Sequence, residues 1–139
     1  MKTNLTRTLI MSAIALAGGA AAFAQDSVSA EIPFTFRAAG VKFDAGTYSI
    51  SQFGHSDSGV LTLQNWRGRN TKFVNTTGPG GYYKYQSPRL VFRCGDDTGC
   101  ALSAIRLENG RTWTLRTPRM KAMETERIAV IYAEKKQAE

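Results

Sequence analysis

The chain has 139 residues and carries 18 lysines and arginines against 11 aspartates and glutamates, so its net charge is +7 at neutral pH. Its two cysteines and single histidine are too few for the usual zinc centre, which takes four ligands mainly from those residues. No Gly-x-Ser-x-Gly, phosphate-binding loop or His-Glu-x-x-His motif is present, and no acid lies between Asp57 and Asp96, which argues against the common hydrolase chemistries.

The N-terminus has the three parts of a secretory signal peptide. Lys2 and Arg7 form a basic start, residues 8–22 are apolar or small, and Ala22-Phe23-Ala24 follows as a cleavage signature. The apolar run is shorter than the roughly 20 residues that a membrane-spanning helix needs. The sequence therefore predicts export, with cleavage after Ala24 and a periplasmic or secreted product of residues 25–139 that forms a single β domain.

Short stretches with period-two alternation of apolar and polar residues follow one another through the rest of the chain, and turn residues separate them. This pattern predicts an all-β, single antiparallel domain of about 8–9 short strands, arranged as a small barrel or a sandwich. Residues 119–126 have helix-forming composition and are predicted to form one or two helical turns. The predicted strands are residues 32–36, 41–43, 48–50, 60–66, 71–75, 89–94, 100–107, 112–116 and 127–133.

Two connections carry specific expectations. Asn109-Gly110 lies between two alternating runs and predicts a type I′ hairpin turn, in which both residues take positive φ. Residues 76–88 are rich in Gly, Pro and Tyr and are predicted to form a long loop. His55, Ser56 and Asp57 lie in a Gly-flanked stretch, and consecutive residues cannot assemble a catalytic triad, so a solvated turn is expected there.

The cysteines Cys94 and Cys100 are separated by five residues in the stretch RCGDDTGC. Redox catalysis is disfavoured, because thiol oxidoreductases use Cys-x-x-Cys at a helix N-terminus. Metal binding is also disfavoured, since Asp96 and Asp97 supply too few ligands for Ca²⁺ and do not match a calcium loop. Both cysteines end strand-like runs, and an exported protein meets an oxidising compartment. The sequence therefore predicts a Cys94–Cys100 disulfide across a hairpin.

The stretch from Ser58 to Gly95 holds six basic residues and no acid, with aromatic residues among them. Cations beside aromatic rings can hold an anionic polysaccharide, a lipid head group or a protein. The simpler interpretation is favoured, because residues clustered in sequence need not cluster on one face: these residues face solvent, and the tyrosines pack the loop onto the sheet. The candidate contact residues for an anionic ligand are Arg67, Arg69, Lys72, Tyr82, Tyr83 and Lys84.

Three short motifs occur in the strand-like runs: Ile32-Pro33-Phe34-Thr35-Phe36, the stretch KFDAGTYSI at residues 42–50, and Leu90-Val91-Phe92 ahead of Gly95-Asp96. Together they resemble a family of small exported bacterial proteins whose function is unknown. The sequence departs from the family pattern at Cys94 and Cys100 and at Phe43-Asp44. The resemblance implies an exported β domain and carries no activity, so no functional residue is transferred.

These observations together predict a non-enzymatic binding or structural module of the cell envelope, with no cofactor and no metal. Its expected partner is an anionic envelope polymer, a lipid head group or a protein, and not a nucleic acid. An alternative is a proteinaceous inhibitor of an envelope hydrolase, a role open to small disulfide-bonded β domains. An enzyme is the weakest hypothesis, because one histidine and no paired acids leave its catalytic residues unidentified.

Overall fold

The computed structural model describes residues 27–55, 57–67, 70–82 and 86–136. The predicted signal peptide and its cleavage site lie outside these residues. The described chain is all-β and antiparallel-rich, which confirms the predicted fold class. It contains no helix long and apolar enough to cross a lipid bilayer.

The described residues form twelve strands, where the sequence predicted about 8–9. The first six are β1 (Ser27–Ile32), β2 (Phe36–Ala38), β3 (Val41–Phe43), β4 (Gly46–Gln52), β5 (Val60–Asn65) and β6 (Thr71–Asn75). The last six are β7 (Gly78–Tyr82), β8 (Arg89–Gly95), β9 (Gly99–Arg106), β10 (Arg111–Thr114), β11 (Arg127–Tyr132) and β12 (Glu134–Lys135).

The strands form two sheets. Sheet A has five strands in the order β12-β1-β4-β5-β6. Sheet B has seven: its main path is β11-β8-β9-β10-β7, and β2 pairs in parallel with the start of β9 and antiparallel with β3. Neither sheet closes on itself within the described chain, so of the two predicted architectures the molecule adopts the sandwich.

The core lies between the inner faces of the two sheets. Alternate residues point to opposite faces of a strand, so each strand contributes every second side chain to the interior. Phe36 is at the centre: its ring stacks on Phe43 at 5.0 Å and meets Tyr48 and Phe92 edge-on at 5.5 and 5.4 Å. Burial of each such side chain stabilises the fold by about 1.5–3 kcal/mol. Other fully buried side chains are Val28, Ile32, Ile50, Leu61, Leu63, Leu90, Leu102, Ile105 and Leu107.

The predicted strand 32–36 is divided between the two sheets. Ile32 ends β1 in sheet A, whereas Phe36 begins β2 in sheet B. Pro33 has no N–H to donate and therefore interrupts the strand ladder. Phe34 spans the crossing and packs edge-on against Phe92 at 5.0 Å. Apolar and polar residues alternate on both sides of Pro33 as predicted, but the residues before it belong to β1 and Phe36 belongs to β2.

The predicted loop 76–88 contains the strand β7, which pairs with β10. Its sequence, GPGGY, argued against a strand because Gly and Pro weaken strand interiors. The strand lies at an edge of sheet B. An edge strand tolerates proline, because its outer side makes no ladder hydrogen bonds that the missing N–H would break. Edge position therefore explains the difference.

The helical turns predicted for residues 119–126 are absent, and this prediction was wrong. The segment is irregular, with one turn at Ala122 and Met123 closed by a hydrogen bond from Glu124 N to Lys121 O at 3.0 Å. Favourable helix propensity is a weak preference that tertiary contacts override. Here the Glu124 side chain is hydrogen-bonded to the turn of the β8–β9 hairpin, and a single turn of residues 121–124 places it there.

The Asn109-Gly110 hairpin forms as predicted, but its turn type differs. Gly110 has φ of 84°, whereas Asn109 does not take positive φ. Gly110 N donates to Leu107 O at 3.1 Å and Leu107 N to Arg111 O at 2.9 Å, so a four-residue turn ends in a left-handed glycine. The two consecutive positive φ angles of a type I′ turn occur instead at Ala39 (47°) and Gly40 (82°), between β2 and β3.

Candidate functional sites

Cys94 and Cys100 form a disulfide, which confirms the prediction from the sequence. They are directly opposed partners in the β8–β9 hairpin, with their Cα atoms 4.0 Å apart. Cys94 is buried at the edge of the core and Cys100 is half-buried. The bond therefore fixes the register of two central strands of sheet B.

The loop between the two cysteines is a carboxylate-binding turn, which the sequence did not suggest. Glu124 Oε1 accepts hydrogen bonds from Asp97 N at 2.8 Å, Thr98 N at 2.8 Å and Thr98 Oγ1 at 2.9 Å. Its other oxygen accepts from Lys121 N at 3.2 Å. Successive backbone N–H groups in a turn form an anion-binding concavity. Glu124 fills this one from within the chain.

Ion pairs join the same two segments. Glu126 binds Arg93 through two hydrogen bonds of 2.5 and 2.8 Å. Arg127 lies 3.3 Å from Asp96, and Lys121 lies 3.7 Å from Asp97. Asp96 and Asp97, in the turn between the two cysteines, thus help to hold residues 121–127. Because these pairs are exposed, each contributes little by itself, and the carboxylate in the turn is the more specific contact.

Acid should weaken this attachment in a defined pH range. The hydrogen bond from Thr98 N is the largest cause that lowers the pKa of Glu124 from 4.5 to about 2, with smaller contributions from Asp97, the Thr98 hydroxyl and Lys121 opposed by desolvation. A carboxyl with a depressed pKa stabilises the fold fully above its unfolded value and loses that contribution as pH falls toward its folded value. We expect the stability gap between the wild type and Glu124→Gln to be widest above about pH 4.5 and to close toward pH 2.

Urea unfolding of both proteins at several pH values measures this gap. Glu134→Gln on the exposed strand β12 is the matched control, since it removes a carboxylate of the same kind outside the hairpin. A gap for Glu124→Gln that stays constant down to pH 2 would contradict the role assigned to the ionised carboxylate.

Of the predicted anionic-ligand residues, the structure describes three, and these lie on separate elements. Arg67 follows β5 in the turn to β6, whereas Tyr82 ends β7 and lines a cleft with Asp57, which lies in the turn at the other end of β5. Lys72 is already engaged: its Nζ donates to Lys42 O at 2.9 Å and lies 4.8 Å from the centre of the Phe43 ring. Arg69, Tyr83 and Lys84 lie outside the described residues.

The outer face of sheet A is lined by hydroxyl and amide side chains. In β1, β4, β5 and β6 the apolar residues alternate inward, so the residues between them point out. The cross-strand register aligns these outward residues in rows. One row is Ser27, Ser51, Thr62 and Phe73, the next is Ser29, Ser49, Gln64 and Thr71, and the third begins with Glu31 and Thr47.

This face, which we call the hydroxyl face, is unusual for so basic a protein. None of the outward positions of β1, β4, β5 and β6 is a lysine or an arginine, although the chain has 18 of them. The hydroxyls of Ser51 and Thr62 lie 2.6 Å apart in a hydrogen bond across the two central strands. At one corner the exposed rings of Phe53 and Phe73 meet edge-on at 5.0 Å.

The opposite corner of the hydroxyl face ends at Trp66. Its backbone N donates to Thr47 O at 3.0 Å, which extends the third row beyond the end of β5. The side chain is 71% exposed, and Lys136 Nζ lies 5.4 Å from the centre of a Trp66 ring. Arg67 is the next residue, and with Trp66 and Glu31 it lines a cleft of about 340 Å³. An exposed aromatic ring, two cations and one carboxylate therefore meet at this corner.

The sequence pointed to Arg67 through its charge but gave no signal for the hydroxyl face. Serines and threonines on alternate positions are common on any solvated strand, so only the strand order brings them together. Among the described residues no three His, Cys, Asp or Glu side chains cluster in a way that could hold a metal ion. No protein-family model, no curated protein and no solved structure matches this chain, so function is argued below from the surface alone.

Proposed function

We propose that this chain is a non-enzymatic binding module of the cell envelope that holds an acidic polysaccharide on the hydroxyl face. The exposed Trp66, with Arg67 and Lys136 beside it at the end of a hydroxyl-lined sheet, is the observation that carries the proposal. Export rests on the predicted signal peptide, and the Cys94–Cys100 disulfide fits the oxidising compartment that export would provide.

The aromatic ring supplies the contact area. An indole is large, rigid and amphipathic, and it buries much surface with little loss of side-chain entropy. The C–H faces of a pyranose ring are apolar and flat enough to lie on such a ring. Most of the Trp66 side chain is open to solvent. Covering it with a sugar would remove apolar surface from water, which is favourable.

The polar groups match the rest of such a ligand. Serine and threonine hydroxyls both donate and accept hydrogen bonds, as sugar hydroxyls do, and Gln64 adds an amide with the same capacity. Arg67 can bind a carboxylate through two parallel hydrogen bonds. Glu31 accepts hydrogen bonds only and would take sugar hydroxyls.

The distribution of lysines and arginines around the hydroxyl face favours one class of anionic ligand over others. A duplex nucleic acid or an anionic lipid surface presents closely spaced phosphates, which proteins meet with many lysines and arginines. The described outward positions of β1, β4, β5 and β6 hold none, whereas Arg67 and Lys136 lie beside Trp66 at the corner of this face. A polymer whose acidic groups lie among neutral hydroxyls fits this arrangement best.

Binding to polygalacturonate, compared with its neutral methyl ester, tests the proposal by calorimetry or affinity electrophoresis. We expect Trp66→Ala to weaken binding of both polymers roughly tenfold, which corresponds to about 1.4 kcal/mol. Arg67→Gln should weaken only the acidic polymer, and more at low salt than at high salt. Thr62→Val keeps the shape of the side chain, removes one hydroxyl of the face and should weaken both polymers by a smaller factor.

Tyr132→Ala is the matched control. This aromatic side chain is 67% exposed, close to Trp66, but it lies on β11 in sheet B. It should leave binding unchanged. Equal losses for Trp66→Ala and Tyr132→Ala, or equal binding of the acidic and neutral polymers by the wild type and by Arg67→Gln, would contradict the proposal.

A further inference from the structure

A second cleft lies at the β7 edge of sheet B, away from the hydroxyl face. Its volume is about 450 Å³, which is within the usual range for small-ligand pockets. It is lined by Asp57, Gly80, Gly81, Tyr82, Arg111 and Trp113. The walls are mainly apolar, so the few polar groups that reach it decide what it can hold.

A bulge between β7 and β10 shapes the cleft. Tyr82 stands opposite Arg111, and the next paired residue of β10 is Trp113, opposite position 79. Gly80 and Gly81 therefore face the single residue Thr112. A Cβ on Gly80 would lie 3.3 Å from atoms of Thr112, so the close approach of the two backbones requires a very small residue. Bulges occur often beside binding sites, where they redirect side chains.

The indole N–H of Trp113 makes no hydrogen bond to any residue that the structure describes. Trp113 is 2% exposed and belongs to the core, yet it also lines this cleft. Its Nε1 is the one buried side-chain nitrogen or oxygen in the described part of the chain that makes no hydrogen bond. Buried donors are nearly always paired, since desolvating one without an acceptor is unfavourable. An acceptor brought by a ligand would remove this penalty.

Arg111 already meets a carboxylate, though at long range. Asp57 Oδ1 lies 3.6 Å from Arg111 Nη1, and the Asp57 side chain is 92% exposed. The contact is longer than a charge-assisted hydrogen bond, which is about 2.7–2.9 Å. Asp57 thus stands at the guanidinium as a carboxylate that another carboxylate can replace.

We propose that this cleft binds an organic carboxylate with an apolar body. One carboxylate oxygen accepts from Trp113 Nε1, the other pairs with Arg111 in place of Asp57, and the apolar part lies between Tyr82 and the two glycines. This site does not depend on the proposed polysaccharide binding, because it is in the other sheet and uses none of the same residues.

Fluorescence titration of a Trp66→Phe variant tests the proposal, because Trp113 is then the only tryptophan. The probes are phenylacetate, octanoate and acetyl-phenylalanine, each compared with its amide. We expect a saturable change in emission with the acids and at least tenfold weaker binding of the amides. Response to the first two acids indicates a free acid as the natural ligand, and response to acetyl-phenylalanine alone indicates a peptide C-terminus.

Three substitutions refine the test, with binding followed by calorimetry. Asp57→Asn removes the competing carboxylate and should tighten binding several-fold. Arg111→Gln should weaken it at least tenfold. Trp113→Phe should also weaken binding, but it leaves a cavity in the core and should lower the melting temperature, so Arg111→Gln, at a partly exposed position, is the variant that separates binding from stability. The absence of saturable binding, equal binding of acids and amides, or weaker binding by Asp57→Asn would overturn the proposal.

Discussion

Replacing Cys94 and Cys100 together by alanine should lower the free energy of unfolding by about 2–2.5 kcal/mol, because the cross-link closes a ring of about seven residues and restricts the unfolded chain by that amount in the chain-entropy model. The two residues are directly opposed in the β8–β9 hairpin, so the folded strands need little adjustment when the bond is absent. Urea unfolding of the oxidised wild type and the double variant measures the difference.

Reduction provides the control for this experiment. Wild-type protein in excess dithiothreitol should approach the stability of the double variant, whereas the variant itself should not respond to the reductant. The β signature in circular dichroism should persist in all cases, since the core of both sheets is intact. Equal stability of oxidised and reduced wild type would show that the bond does not contribute as the entropy argument requires.

The strands were predictable from sequence wherever a strand has one buried face. The predicted strand 60–66 matches β5 to within one residue, because Leu61 and Leu63 alternate with polar residues and turn residues bound the run. The Cys94–Cys100 bond was equally accessible, since opposed positions in a hairpin are within disulfide reach. These features depend on neighbours in sequence.

The features that escaped prediction depend on neighbours in space. The propensity of residues 119–126 favours helix, but Glu124 is captured by backbone N–H groups 26 and 27 positions earlier in the chain. The strand β7 was missed because a Gly-Pro-Gly-Gly stretch is a poor strand former unless an edge position permits it. The local sequence does not indicate that β10 is the strand with which this segment pairs, or that the segment lies at the edge of the sheet.

The candidate site shows the same division. Arg67 could be selected from its charge, yet its neighbours Trp66 and Lys136 come together only because β12 joins β1 at the edge of sheet A. The hydroxyl face requires the strand order β1-β4-β5-β6, which places distant serines and threonines in one row. The disulfide hairpin is in sheet B, so substitutions there should change stability without changing the proposed affinity for polysaccharides.

Gly95→Ala should lower the free energy of unfolding more than the addition of one methyl group usually does. A Cβ at this position would overlap the carboxylate of Glu124 and would lie 2.6 Å from Thr98 Oγ1. Gly95 does not take positive φ, so alanine fits the backbone and the effect is steric. An extra methyl group forced into a packed site typically destabilises by about 1–3 kcal/mol. Here the clash is removed most simply if the Glu124 carboxylate leaves the turn.

A double-mutant cycle with Glu124→Ala isolates this clash, with urea unfolding as the measurement. Once the Glu124 carboxylate is gone, adding Gly95→Ala should have little further effect, because the Thr98 hydroxyl can rotate away. Gly40→Ala is the contrasting control: nothing lies within 4 Å of its Cβ, but its φ of 82° disfavours alanine, so its effect should not depend on Glu124.

The pH dependence gives the cycle a second readout. If Gly95→Ala expels Glu124, the carboxyl regains a pKa near its ordinary value, and the variant lacks the stabilisation that the wild type loses progressively between about pH 4.5 and pH 2. The stability difference between the two proteins should therefore shrink as the pH falls from 5 to 2. Two results together would contradict this explanation: additive effects of Gly95→Ala and Glu124→Ala on the free energy of unfolding, and a stability difference between Gly95→Ala and the wild type that does not depend on pH. Gly95 would then be required for some reason other than the bound carboxylate.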